Sequence, residues 1–268
     1  MPSFLDELLN DKMTEECGVF GLYAPGADVA RLTYYGLYAL QHRGQESAGI
    51  AVADGQKMVG YKGLGLVAEV FADRSKLEQM KGHLAVGHVR YAPRGYNLPL
   101  NAQPLLVRYR NGSLAIAHNG NLVNGQLLRE QLETEGSIFQ TTTDSEIIAH
   151  LVARSGEKDL TTALKKSLPQ LQGAYAFILM TPEQLIGIRD PHGIRPLSLG
   201  ETDSGYVLAS ETCAFDTIGA KYLRDLKPGE MVTIDQKGVR FETFAPPAKH
   251  AMCIFEYIYL ARPDSNLL

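Results

Sequence analysis

Apolar segments arrive along this chain in blocks: strand-length runs first, then a group of helical patterns, then strand-length runs again. That order keeps α and β apart, so it predicts helices layered on sheet rather than a strict β-α-β alternation. The expected fold is α+β, a four-layer αββα sandwich of two largely antiparallel sheets. Strands are expected at Gly18–Tyr23, Ala48–Ala53, Lys57–Lys62, His83–Arg90, Ser113–His118, Gly173–Met180, Gln184–Asp190, Tyr206–Ser210 and Met231–Asp235. Asp54-Gly55 marks a hairpin between the second and third of these. Helical spacing covers Val29–His42, Val67–Val70, Ser75–Met80, Asn124–Glu135, Asp144–Ser155 and Leu160–Leu171.

Composition narrows the classes of function. With 268 residues, 45% of them hydrophobic, the chain can bury one large core, and no repeat, low-complexity tract or Gly/Ser linker divides it. A formal net charge of −4 with both signs interspersed carries neither a nucleic-acid footprint nor a polybasic membrane patch, which leaves small molecules or proteins as partners. No apolar run approaches the ~20 residues of a membrane helix. Cys17, Cys213 and Cys253 form no CxxC pair, which argues against a disulfide framework and a self-contained zinc site and fits a reducing, cytoplasmic setting.

Cys17 stands between a polar leader and a strand rich in small residues, Gly18-Val19-Phe20-Gly21. The leader, Met1–Glu16, is acidic and amphipathic rather than basic then apolar, so it reads as a propeptide and not as an export signal. Cleavage of the peptide bond between residues 16 and 17 would place an α-amine of pKa about 7.7–8.0 beside a thiol of pKa about 8.5. One residue would then supply nucleophile and base.

A thiol nucleophile needs a polarising pocket, and the run Ala117-His118-Asn119-Gly120-Asn121 offers one at a strand end. An Asn side-chain donor with a Gly backbone donor can hold an oxyanion, each donor contributing roughly 3–4 kcal/mol. An amino-acid substrate also needs a cation for its carboxylate and an anion for its ammonium. Arg90 can grip a carboxylate bidentately, and Asp144 sits at an expected helix start. Taken singly, each residue has a plainer reading: packing for Cys17, an Asn-Gly turn for Asn119-Gly120, a surface ion pair for Arg90, a helix cap for Asp144. The turn Leu40–Gly49 with His42 and Arg43 can orient the site or serve only as structural hydrogen bonding, and Cys213 reads as a small buried hydrophobe.

The segments EECGVFG, LQHRGQESAGI, GHVRYA, AHNGNLVN, TTTDSE, RDPHGIRPL and FEYIYLARPDS occur in the order found in class II glutamine amidotransferases, and from Cys17 onward the chain resembles that family. The leader, LQHRGQ and RDPHGIRPL resemble the branch that aminates phosphoribosyl pyrophosphate in purine synthesis. The resemblance implies an N-terminal nucleophile hydrolase fold with Cys17 as nucleophile and Asn119 with Gly120 as oxyanion hole. It also implies Arg90 and Asp144 holding the carboxylate and amine of glutamine, and Tyr91 with residues 92–97 in a loop that closes over it. Residues 17–250 would form the glutaminase domain and 251–268 the start of a phosphoribosyltransferase domain whose phosphate-binding segment is missing. The glutaminase half would need no cofactor. Full-length members would use Mg2+, in some cases a [4Fe–4S] cluster with Cys253 as a ligand, and a homotetrameric assembly. Competing readings are a silent domain that binds glutamine or docks a partner, and the glutaminase domain of another class II amidotransferase.

Overall fold

A computed structural model describes residues 17–91, 98–246, 248–249, 251, 253–254 and 256–266; the expected propeptide and the loop 92–97 lie outside them. The chain runs β1 Gly18–Tyr23, α1 Val29–Ala39, β2 Ser47–Ala53, β3 Met58–Leu64, α2 Val67–Val70, α3 Ser75–Gln79 and β4 Leu84–Arg90. It continues with β5 Leu105–Tyr109, β6 Gly112–Leu122, α4 Gly125–Thr134, α5 Glu146–Arg154, α6 Leu160–Ser167, β7 Gly173–Met180 and β8 Leu185–Arg189. Then follow β9 Ser198–Thr202, β10 Gly205–Ala209, α7 Cys213–Ile218, β11 Lys221–Asp225, β12 Glu230–Asp235 and β13 Gly238–Thr243. A seven-stranded sheet has the order β11-β9-β10-β1-β4-β2-β3 and a six-stranded sheet the order β13-β12-β8-β7-β6-β5, with antiparallel pairing throughout.

Strand alternation builds the layers, because successive side chains leave opposite faces of a sheet. Along β1, Phe20 and Leu22 pack under α1 and α7 with Leu37 and Phe215, while Val19 and Tyr23 turn toward the second sheet. Along β7, Tyr175, Phe177 and Leu179 pack under α4, α5 and α6 with Leu128, Ile148 and Leu164, while Ala176, Ile178 and Met180 face the first sheet. Three apolar interfaces therefore separate four layers, as the αββα reading requires.

The middle interface sets several small residues, among them Ala51, Ala53, Ala115, Ala117 and Ala176, between larger ones such as Leu84, Ile178 and Leu208. At Gly21 a Cβ atom would lie 2.9 Å from Ile178 Cγ2. The sheets approach too closely there for a larger residue.

Several boundaries differ from expectation. The helix over Val29–His42 stops at Ala39, because Gln41–Arg43 form a 3-10 turn that swings the Arg43 side chain into the core. Strand β6 does not end at His118 but continues through Asn119-Gly120-Asn121, paired with Ala176, Tyr175 and Ala174 of β7. The Asn-Gly pair is not a turn. Helix α5 begins at Glu146 rather than Asp144, and α6 gives way at Ser167 to a 3-10 turn that contains Pro169. Strands β5, β9, β11 and β13 and helix α7 escaped the sequence reading.

Replacing Gly21 by Val should cost about 1–3 kcal/mol through overpacking between the sheets. Calorimetry should show Tm lowered by about 2–4 °C for each kcal/mol. An unchanged Tm would mean that the two sheets are not in close contact at this point.

Candidate active site

The register of β1 against β4 pairs Gly18 with Val89, and carried one position further it sets Arg90 across from Cys17. Alternation turns both toward the six-stranded sheet, on the same side as Val19 and Val86. Asn119 reaches that gap from the other side, since it continues the face of β6 that carries Ala115 and Ala117. The Cys17 N–H donates to Asn119 Oδ1 at 3.3 Å, although 102 residues separate them. The two sheets thus bring nucleophile candidate and amide together at one end of the sandwich.

With Oδ1 engaged by Cys17, the Asn119 amide nitrogen points elsewhere. Nδ2 of the fully buried Asn119 and Nη1 of Arg90, which is 6% exposed, have no hydrogen-bond partner among the described residues. A buried donor left unmatched costs about 1–3 kcal/mol. Two such donors flanking Cys17 are what a site for an oxyanion and a carboxylate needs.

Gly120 has φ +137°, and a Cβ there would lie 2.0 Å from Ala174 O. Only glycine fits, because β7 passes directly against its backbone.

Asp144 does not cap α5. Its Oδ2 accepts the Leu122 N–H at 2.7 Å, and Oδ1 lies 3.4 Å from His118 Nδ1. Burial pushes its carboxyl pKa up, but the neighbouring His118 and the backbone N–H donors outweigh this and hold it below the usual carboxylate range. Asp144 is ionised at neutral pH and can face an ammonium.

Tyr91 follows β4 and is 40% exposed, and the rest of the loop assigned to it by sequence lies outside the described residues. Cys253 is partly exposed. The chain has three cysteines in all, and no group of three or more His, Cys, Asp or Glu among the described residues is placed to hold a metal. These residues do not supply the four thiolates of a [4Fe–4S] cluster.

Behind Cys17 lies a buried ionic network that sequence reading did not find. Arg43, fully enclosed, donates from Nε to Cys17 O at 3.0 Å, from Nη1 to Glu211 Oε1 at 2.7 Å, and from Nη2 to both oxygens of Glu256 at 3.0 and 2.8 Å. His42 Nε2 lies 2.8 Å from Glu211 Oε1, and Arg195 Nη1 donates to Glu256 Oε1 at 2.9 Å. Burial opposes ionisation of both partners, yet the paired charges hold the Glu211 carboxyl down to about 2 and push the Arg43 guanidinium above its ordinary value. Glu211 Oε2 also accepts the Arg262 N–H and the Ser265 hydroxyl, so residues 256–266 are tied to the floor of the site. The partners of Arg43 stand 168 and 213 positions away, and no local pattern signals such a pairing.

Comparison with known proteins finds similarity along nearly the whole chain. The model of the glutamine amidotransferase domain matches residues 88–217. The amidophosphoribosyltransferase of Bacillus subtilis (strain 168) is 52% identical over 256 residues, covering 95% of this chain and 53% of that protein. The amidophosphoribosyltransferase of Synechococcus elongatus is 51% identical, again over 95% of this chain and 53% of the relative. A solved structure of the allosteric regulatory enzyme of purine biosynthesis superposes with a TM-score of 0.90 at 52% identity, covering 94% of this chain and 54% of that one. Residues 88–217 thus match a glutamine amidotransferase domain, and nearly the whole chain is similar to these relatives. It spans about half the length of the curated relatives it matches. The resemblance read from EECGVFG, GHVRYA and AHNGNLVN is borne out, as is the branch to which these relatives belong.

The ion network makes a pH prediction. Because the folded Glu211 titrates near 2 and the unfolded one near 4.5, its stabilisation is complete above pH 4.5 and fades as pH falls toward 2. Unfolding free energy should therefore drop less steeply over that acid range in Glu211→Gln than in the unsubstituted protein, measured by urea titration at each pH. Parallel slopes would show that Glu211 carries no depressed pKa.

Proposed function

We propose that this chain releases ammonia from the side-chain amide of glutamine, with Cys17 as nucleophile. The observation that carries this reading is the pair of buried donors with no partner among the described residues, Asn119 Nδ2 and Arg90 Nη1, on either side of Cys17. Removal of Met1–Glu16 converts the Cys17 N–H, held by Asn119 Oδ1, into an α-amine. That amine takes the thiol proton, and the thiolate attacks the amide carbon of glutamine. Negative charge developing on the amide oxygen is met by Asn119 Nδ2 and the Gly120 N–H. The amine then returns the proton to the departing nitrogen, which leaves as ammonia, and water cleaves the thioester to give glutamate. The Arg90 guanidinium pairs with the substrate carboxylate and Asp144 with its ammonium, while Tyr91 and the following residues cover it.

Residues 17–250 would be the glutaminase domain, with the remainder leading into a transferase domain of a longer protein. There ammonia would pass to phosphoribosyl pyrophosphate and yield 5-phosphoribosylamine, in keeping with the names of the relatives. An iron–sulfur cluster with Cys253 as a ligand, Mg2+, and a homotetrameric assembly in the cytoplasm would all depend on parts beyond these 268 residues.

Protein whose mass spectrum shows Cys17 as its first residue should release ammonia from glutamine, and Cys17→Ala should abolish the release. Asn119→Ala should lower kcat by about 10²–10³-fold. Protein retaining Met1 should be inactive, since an amide nitrogen is no base. Ammonia release that survives Cys17→Ala would overturn the reading.

A further inference from the structure

We propose that His118 is a positioning residue of this site: its imidazole, braced by Gln103 and Ser145, holds the Asp144 carboxylate where the ammonium of the amino-acid substrate must bind. The proposal rests on the assignment of Cys17, Asn119 and Asp144 made above and adds the residue through which Asp144 is set.

Strand β6 loses its β5 neighbour after the pair Leu105 and Ile116, so His118 must find other partners on that side. Side chains replace the missing strand. The His118 N–H donates to Gln103 Oε1 at 2.8 Å, and His118 O lies 2.9 Å from His88 Nε2. A carbonyl only accepts, so His88 Nε2 carries the proton. Burial drives the His88 pKa down to about 3, which keeps that ring neutral and the bond unchanged through the working pH range.

On the opposite face of the strand the His118 ring stacks on Phe177, with centroids 4.2 Å apart and planes at 17°. This stacking fixes where Nδ1 points. It stands 3.0 Å from Ser145 Oγ and 3.4 Å from Asp144 Oδ1. Gln103 completes the brace, since the amide that accepts the His118 N–H also donates from Nε2 to Ser145 Oγ at 3.0 Å. Facing an ionised Asp144, Nδ1 bears the ring proton, and the Ser145 hydroxyl, already an acceptor, turns its hydrogen toward the same carboxylate at 3.5 Å.

Asp144 therefore spans a stretch of β6. One oxygen is held at Leu122 and the other by the His118 ring, with Asn119, Gly120 and Asn121 between the two anchor points. The oxyanion donors and the ammonium acceptor are placed by contacts to the same five residues of strand. His88, Gln103, His118 and Ser145 are all buried, so the bracket keeps its geometry without water.

The test uses processed protein carrying His118→Asn, Asp144→Asn or both, assayed for glutamine hydrolysis, with iodoacetamide alkylation of Cys17 followed by mass spectrometry. His118→Asn should raise KM for glutamine about tenfold or more while kcat stays within about threefold. The double variant should be no worse than Asp144→Asn alone, because both changes remove one interaction. Alkylation of Cys17, which needs no ammonium site, should keep its wild-type rate. A purely structural role would instead slow alkylation along with hydrolysis, since a disturbed β6 displaces Asn119 from Cys17. If His118→Asn does not fold, Ser145→Ala removes the brace together with the long Ser145 hydrogen bond to Asp144 and should raise KM about threefold with kcat kept. An unmoved KM, additive effects in the double variant, or slowed alkylation would overturn the proposal. Wild-type protein that is processed yet releases no ammonia would overturn the functional reading itself, an outcome distinct from an active wild type indifferent to His118.

Discussion

The close approach of two antiparallel sheets, with Gly21 and several alanines set among larger side chains between them, is the constraint on which this structure depends. It lets Cys17, just before β1, meet a side chain of β6 that lies 102 positions away. A larger residue at Gly21 would press on Ile178 and Leu185 of the facing sheet and strain the approach that brings Cys17 to Asn119. Packing and chemistry are in this sense one requirement. The same alternation that buries Val19 and Ala117 aims Cys17, Arg90 and Asn119 into a common space.

Charge is handled by enclosure on one side of that space and by openness of valence on the other. Behind Cys17, Arg43 has each of its donor nitrogens engaged, with two carboxylates and one carbonyl as acceptors, which is how a fully buried guanidinium is tolerated. In front, Arg90 and Asn119 keep donors unmatched among the described residues. A stability-optimised interior would satisfy both groups. Their retention supports the reading that binding and not folding sets the composition here.

Much of this was legible beforehand. The strand-length run Gly18–Tyr23, the Asp54-Gly55 hairpin and the separation of strand and helix blocks pointed to the four layers, and the motifs around Cys17, Arg90, Asn119 and Asp144 fall in one region of the structure. What escaped had physical reasons. Strands β11 and β13 are edge strands with largely open faces, so they carry no apolar run to read. The pair Asn119-Gly120 carries the signature of a turn, but the contact of Gly120 with Ala174 O makes glycine a requirement of strand packing. Asp144 precedes a helix as a cap would, yet its carboxylate is drawn away to the Leu122 N–H. Glu211 and Glu256 are ordinary surface letters until the fold places a buried guanidinium between them.

The central claim is that the sulfur of Cys17 bonds to the substrate carbon. Processed protein mixed with glutamine, quenched in acid within milliseconds and digested for mass spectrometry, tests it directly. The account predicts a glutamyl adduct on the Cys17 peptide, absent from the peptides of Cys213 and Cys253. An adduct on another residue, or none while ammonia is still being released, would contradict it.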